Sequence, residues 1–106
     1  MAENQRKAFR IRYKEKDMPV LEIKDKKYPL IDISVIGLKL WGSNDFYEFQ
    51  SLEGKIQLHT GELNFKGTVI RVNKNSDCIA IEINPELSLG KLYLERNYLK
   101  EKGYKI

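Results

Sequence analysis

Leu30-Ile31-Asp32-Ile33-Ser34-Val35-Ile36-Gly37-Leu38-Lys39-Leu40 is an apolar run interrupted by a carboxylate, a hydroxyl, a glycine and a lysine. Side chains of a strand alternate with period two, so Asp32 and Ser34 share one face and Ile33 and Val35 the other. The run therefore reads as a strand with one apolar face and one face that offers an acceptor and a hydroxyl. Gly37 marks a point where the backbone bends, bulges or admits another group closely. A carboxylate in that setting is a natural partner for paired N–H donors, such as a guanidinium or the N1–H/N2–H edge of a guanine. Taken alone, residues 32–37 fit equally a strand whose polar face lies in water and whose glycine sits at a bulge.

Working outward, the flanking segments keep the same period. Phe9, Ile11 and Tyr13 alternate with Arg10, Arg12 and Lys14, which is strand-like. Met18 to Lys24 reads as a first clear strand, Asp25-Lys26-Lys27 as a turn, and Tyr28 to Ser34 as the second arm of a hairpin. Gly37 to Trp41 is a third strand. Gly42-Ser43-Asn44-Asp45 is a loop, and Phe46 to Leu52 fits either a strand or a short helical turn. Gly54 to His59 alternates, Gly61-Glu62 reads as a turn, and Leu63 to Val72 is a long strand with Phe65, Val69 and Val72 as its buried side. Cys78 to Ile83 alternates again after the polar turn 73–77. The period then changes. Asn84-Pro85-Glu86 resembles an N-cap with proline at the first helical position, Leu92 and Leu99 give helical spacing, and Gly103 is a stop signal. The expectation is an all-β chain of six antiparallel strands, closed into a small barrel to protect its edges, with one C-terminal helix at about 85–102.

A chain of 106 residues with 42% apolar and 32% charged residues suits one soluble domain. No apolar run approaches the roughly 20 residues of a membrane span, and the start lacks the pattern of a secretory signal. Cys78 is the single cysteine and His59 the single histidine, which excludes an internal disulfide, fits a cytoplasmic location and leaves no ligand set for a metal site. Ser34 has only His59 as a possible base, so no triad is apparent and no catalytic residue is expected. Trp41, Phe46, Tyr47 and Phe49 are expected to pack in the core or at its rim. Residues 1–16 hold six of the 19 basic residues and two of the 15 acidic ones, so they account for the whole net charge of +4. The division is a flexible basic arm over 1–16, leading into a barrel body over 17–106. Such an arm suggests an anionic partner, and is also compatible with a solvated tail.

Within the arm, Arg6 and Arg10 are four apart. Two guanidinium groups on one side grip a compact multiply charged anion, and their faces stack on nucleobases. Arg-x-x-x-Arg followed, 22 residues beyond Arg10, by Asp32-x-Ser34-x-x-Gly37 resembles the PilZ domain family, over essentially the whole chain. That family pairs an RxxxR arm with a [D/N]xSxxG strand motif on a six-stranded barrel with a C-terminal helix, and binds the bacterial second messenger cyclic di-GMP.

The resemblance implies that Arg6 and Arg10 contact the phosphates and guanine faces or edges of cyclic di-GMP. It implies that Asp32 accepts from a guanine edge, that Ser34 bonds the same ligand, and that Gly37 leaves room for a base. Gln5 stands where many members carry a further arginine, Lys7 adds a point charge, and Arg71, in a strand similar to the family's later one, is a candidate for lining the site. Ile36 stands where members often have a second glycine, and a β-branched residue there restricts the bend. The function implied is a non-enzymatic second-messenger receptor in motility or exopolysaccharide regulation. It would need no cofactor beyond its ligand and would signal to an unidentified effector protein by ordering its arm, with no DNA or RNA expected. Two other readings stay open on the residues alone: an interaction or adaptor barrel that binds no nucleotide, and a barrel that binds single-stranded nucleic acid through its arm and aromatics.

Overall fold

The computed structural model of the chain describes residues 9–106. Seven strands run in order: β1 (Ile11–Arg12), β2 (Val20–Ile23), β3 (Lys26–Ile33), β4 (Gly37–Trp41), β5 (Ser51–Leu58), β6 (Gly61–Asn73) and β7 (Cys78–Ile83). The helix α1 (Leu89–Glu101) follows. β2 pairs with β3 and β5, β5 with β6, β6 with β7, β7 with β4, and β4 returns to β3, all antiparallel. These pairings close a six-stranded barrel. The two-residue β1 lies beside β2 on the same edge of β3, with Ile11 opposite Ile33 and Arg12 opposite Asp32. Ile11 and Tyr13 are buried, so the folded body begins well before residue 17, and the segment from Ile11 to Lys16 belongs to it rather than to an arm. No helix of the described residues is long and apolar enough to cross a membrane.

The alternation read in the sequence is the alternation observed. Leu38 and Leu40 of β4, Leu52, Ile56 and Leu58 of β5, and Ile79, Ile81 and Ile83 of β7 fill the interior. Lys24 and Asp25 both take positive φ, the two-residue turn that matches strand twist; β3 therefore starts at Lys26, inside the segment expected to turn. Gly67 is required by close approach: a Cβ there would sit 2.3 Å from the Glu82 carbonyl oxygen of β7.

Two β-bulges interrupt the alternation. Leu30 faces Leu40 across β3–β4, but the register then shifts, so Asp32 faces Lys39 and Ile33 faces Leu38. Continuing the phase of Tyr28 and Leu30 would have driven Asp32 into the core; the extra residue, Ile31, turns it to the outer face and puts Ile33 inside. The same happens on β6 between Val69 and Arg71. Val69 and Val72 point inward, Arg71 points out, and Ile70 is left exposed.

The helix differs from expectation at its start. It begins at Leu89, with Ser88 as N-cap accepting from the Lys91 N–H at 3.2 Å. Residues 84–87 stay outside the helix because the barrel claims two of their donors: Asn84 N–H bonds the Lys66 carbonyl at 2.9 Å and Leu87 N–H the Val35 carbonyl at 2.8 Å. The end is as expected. Gly103 has φ +100, and the bonds Gly103 N–H to Lys100 C=O and Tyr104 N–H to Leu99 C=O, each 3.0 Å, make a Schellman motif.

α1 presents Leu92, Glu95 and Leu99 to the barrel, all fully buried. Glu95 is the polar member of that stripe. Its carboxylate accepts from the Tyr13 hydroxyl (2.9 Å), the Thr60 N–H (3.0 Å), the Thr60 hydroxyl (2.9 Å) and the His59 N–H (3.3 Å). This places the β5–β6 turn at His59-Thr60 rather than at Gly61-Glu62, since those two N–H groups are committed to the helix. Burial, followed by the charge of Glu95, pushes the Tyr13 hydroxyl far above the usual tyrosine range. A second polar knot holds the far end of α1. The Asp17 carboxylate accepts from the Tyr104 hydroxyl at 2.8 Å and lies 3.5 Å from the Lys102 ammonium. The Tyr104 bond, aided by Lys102, keeps the Asp17 carboxyl below its ordinary range.

Two expected outcomes follow from these knots. Glu95→Ala leaves several buried donors without an acceptor and should cost about 3 kcal/mol, read as a lowered urea midpoint. Because the Asp17 pKa is depressed in the folded state, its contribution is complete above the unfolded value of about 3.9 and is lost as pH falls through the lower folded value. Urea midpoints measured below about pH 4 should therefore fall less steeply with acidification in Asp17→Asn than in the unaltered chain.

Candidate functional site

The bulge in β3 sets Asp32 on the outer surface beside the incoming chain, and Arg12 of β1 pairs with it in register. The Arg10 guanidinium forms an ion pair with the Asp32 carboxylate through Nη1 and Oδ1. Its Nη2 lies 3.4 Å from Ser34 Oγ. Asp32 is only 1% exposed, whereas the Arg10 side chain is 42% exposed, so the guanidinium is a lid over a buried acid.

Ser34 opens the turn between β3 and β4. Its N–H donates to the Gly37 carbonyl at 2.8 Å and its Oγ accepts from the Ile36 N–H at 3.3 Å. Gly37 is hemmed in: a Cβ would lie 3.1 Å from the Ile81 carbonyl oxygen and 3.7 Å from Arg10 Nη2. Ile36 creates no strain at this turn. Its φ is not positive, its side chain is 42% exposed, and its carbonyl accepts from the Ile83 N–H at 2.7 Å. The branched residue points to solvent and the floor keeps its shape.

The registers extend this floor across four strands. Asp32 faces Lys39, Lys39 faces Ala80, and Ala80 faces Arg71. The β6 bulge puts Arg71 on this outer row; with strands about 4.8 Å apart, it stands about 14 Å from Asp32, measured between backbones. Ala80 and Gly37 are the low points between the basic walls of Arg10, Lys39 and Arg71. Of the sequence-predicted residues, Arg10, Asp32, Ser34 and Gly37 converge in one cluster, and Arg71 lies on the same face without touching it. Gln5, Arg6 and Lys7 lie outside the described residues.

Lys39 and Ala80 were not singled out by sequence reasoning. Lys39 was within reach of it: Gly37, Lys39 and Trp41 alternate outward from the motif glycine. Ala80 was not, because only the β4–β7 register brings it there. Phe9, read in the sequence as part of an alternating strand, lies before β1 and docks on α1. Its ring stacks on Tyr93 of α1 (5.4 Å between centroids) and lies 5.0 Å from the Arg96 guanidinium. Arg96 in turn donates to the Ile106 carbonyl at 3.0 Å. Helix α1 thus anchors the residue beside Arg10. The aromatics of the 41–49 region divide: Phe46 is buried against Tyr28, while Tyr47 and Phe49 are 66% and 77% exposed, so these two pack neither in the core nor at its rim. Among the described residues no three His, Cys, Asp or Glu side chains are grouped as a metal site.

The PilZ domain family model matches residues 4–99 of the chain. The chain belongs to the PilZ domain family. No curated protein matches it significantly. Among solved structures, the uncharacterized Legionella protein Lpg0364 superposes with a TM-score of 0.66 at 18% identity, covering 89% of this chain and 96% of that one. The Bacillus subtilis inhibitor of motility MotI/DgrA superposes with a TM-score of 0.64 at 18% identity, covering 89% of this chain. This PilZ chain spans about half of that protein, 49% of its length. At such identities the likeness is one of fold.

The Arg10–Asp32 pair of this PilZ domain is testable in isolation. Arg10→Ala leaves a buried carboxylate without its ion-pair partner. The partner's exposure limits the cost to about 1–2 kcal/mol. Asp32→Asn in the Arg10→Ala background should recover part of that loss, so a double-mutant cycle in urea should give a favourable coupling energy.

Proposed function

We propose that this PilZ domain is a receptor for cyclic di-GMP and not an enzyme. The observation that carries the reading is the guanidinium seated on Asp32. A guanidinium and a guanine edge present the same pair of adjacent N–H donors to a carboxylate. Asp32, covered by a half-exposed arginine, is therefore a guanine acceptor held in readiness. On binding, a guanine takes the carboxylate with Ser34 beside it and Gly37 beneath. Arg10, released, turns to a phosphate or stacks on a base, and Arg6 joins it from earlier in the arm. Gln5 and Lys7 flank these contacts, and Lys39 and Arg71 supply positive charge further along the row. The arm thereby becomes ordered over the nucleotide, and the altered surface meets an effector protein. Motility is the output to test first, since a chain of similar fold is an inhibitor of motility.

Charge-assisted contacts of about 1.5–3 kcal/mol each, offset by ordering of the arm, set the expected affinity at about micromolar, near −8 kcal/mol. Calorimetric titration with cyclic di-GMP should show saturable binding. Arg10→Ala and Asp32→Ala should each abolish it in protein whose folding is confirmed by circular dichroism, and Arg71→Ala should weaken it by a few-fold. Full binding by both Arg10→Ala and Asp32→Ala would remove the site assignment. No binding by the unaltered, folded chain would favour an adaptor barrel without a nucleotide.

A further inference from the structure

The closed barrel leaves part of the β6 strand edge open. β7 pairs with β6 only from Gly67 onward, so residues 61–66 of β6 have a neighbouring strand on the β5 side alone. In an antiparallel hairpin closed by two residues, the pair next to the turn, here Leu58 and Gly61, exchanges hydrogen bonds, and bonded pairs alternate from there. Odd-numbered residues of the stretch therefore bond β5. Glu62, Asn64 and Lys66 aim their N–H and C=O groups at the open edge. Two bonds agree with this parity: Asn84 N–H donates to the Lys66 carbonyl at 2.9 Å, and Lys91 Nζ to the Glu62 carbonyl at 3.3 Å. Between them, the Asn64 N–H and C=O have no hydrogen-bond partner among the described residues.

This edge is one wall of a groove of about 760 Å³. The 84–88 connector and the first turn of α1 are the other wall. Leu63, Phe65 and Leu87 supply an apolar floor, and Lys55, Lys66 and Lys91 stand around it. Glu53 and Glu86 also line the groove, so ammonium groups outnumber carboxylates, and the positive end of α1 adds to the excess. Each feature selects for the same guest. Open N–H and C=O groups accept an extended backbone, an apolar floor seats alternate side chains, and the charge favours acids on the guest.

We propose that this groove is a docking site for an extended segment of a partner protein that alternates acidic and apolar residues and adds to β6 as an extra strand at Asn64. No groove residue belongs to the Arg10–Asp32 cluster, so the proposal stands apart from the nucleotide reading.

The full chain is titrated, by fluorescence polarisation, into a labelled octapeptide alternating glutamate with valine and leucine. Two control peptides carry lysine for glutamate, or N-methyl groups on alternate amides. Asn64→Pro removes an edge-facing N–H without touching the β5 ladder, and Lys66→Glu with Lys91→Glu reverses the local charge in case the proline variant fails to fold. Saturable binding of the acidic peptide is expected, weakened by about tenfold or more in both controls and in the folded variants. Absence of binding, or equal binding of the lysine peptide, overturns the proposal. So does a dimer in sedimentation that the charge reversal dissolves, since the occupant would then be a second copy of this chain.

Discussion

Everything at the candidate site depends on one residue inserted into β3. Strand side chains alternate strictly, so a carboxylate in phase with Tyr28 and Leu30 belongs to the barrel interior, where an unpaired charge is not tolerated. The bulge at Ile31 shifts that phase by one. Ile33 then completes the core opposite Leu38, and Asp32 emerges opposite Lys39. It remains nearly buried, because Arg10 closes over it. The acid is thus shielded from water yet reachable from outside by any group able to replace a guanidinium. The bulge in β6 performs the same shift for Arg71, and the two together set a row of polar groups on an otherwise ordinary barrel wall.

The site also depends on the helix, although no helical residue is in it. α1 caps the barrel through Leu92 and Leu99, but its orientation is set by Glu95, which collects hydrogen bonds from Tyr13, His59 and Thr60. Asp17, Tyr104 and Lys102 fix its far end. With the helix held, Tyr93 and Arg96 offer a surface on which Phe9 stacks, and Phe9 determines where Arg10 leaves the chain. A polar network buried beneath the helix therefore steers an arginine at the barrel surface.

The barrel itself was legible because its strands are half-buried and alternate cleanly; β4 and β7 need no tertiary information to be read. Departures arose where donors were taken by distant partners. Asn84 looked like an N-cap, but its N–H pairs with the Lys66 carbonyl of neighbouring β6, so the helix waits for Ser88. The β5–β6 turn moved to His59-Thr60 because Glu95, some 35 residues away, needs those amides. Residues 11–16 read as arm because their charge dominates, while Ile11 and Tyr13 carry the burial that makes them part of the body.

The chemistry of the site was in the sequence from the start. An acid and a hydroxyl at two-residue spacing, a glycine after them and an arginine upstream define the functional groups, because period two alone places Asp32 with Ser34. The tertiary structure decided what no local pattern contains: that Arg10 sits on Asp32, that Ile36 turns to solvent, and that Lys39, Ala80 and Arg71 continue the row. Those facts rest on strand register and on two bulges. Register is set by the fit of all the buried side chains at once, so it becomes readable only when the barrel closes.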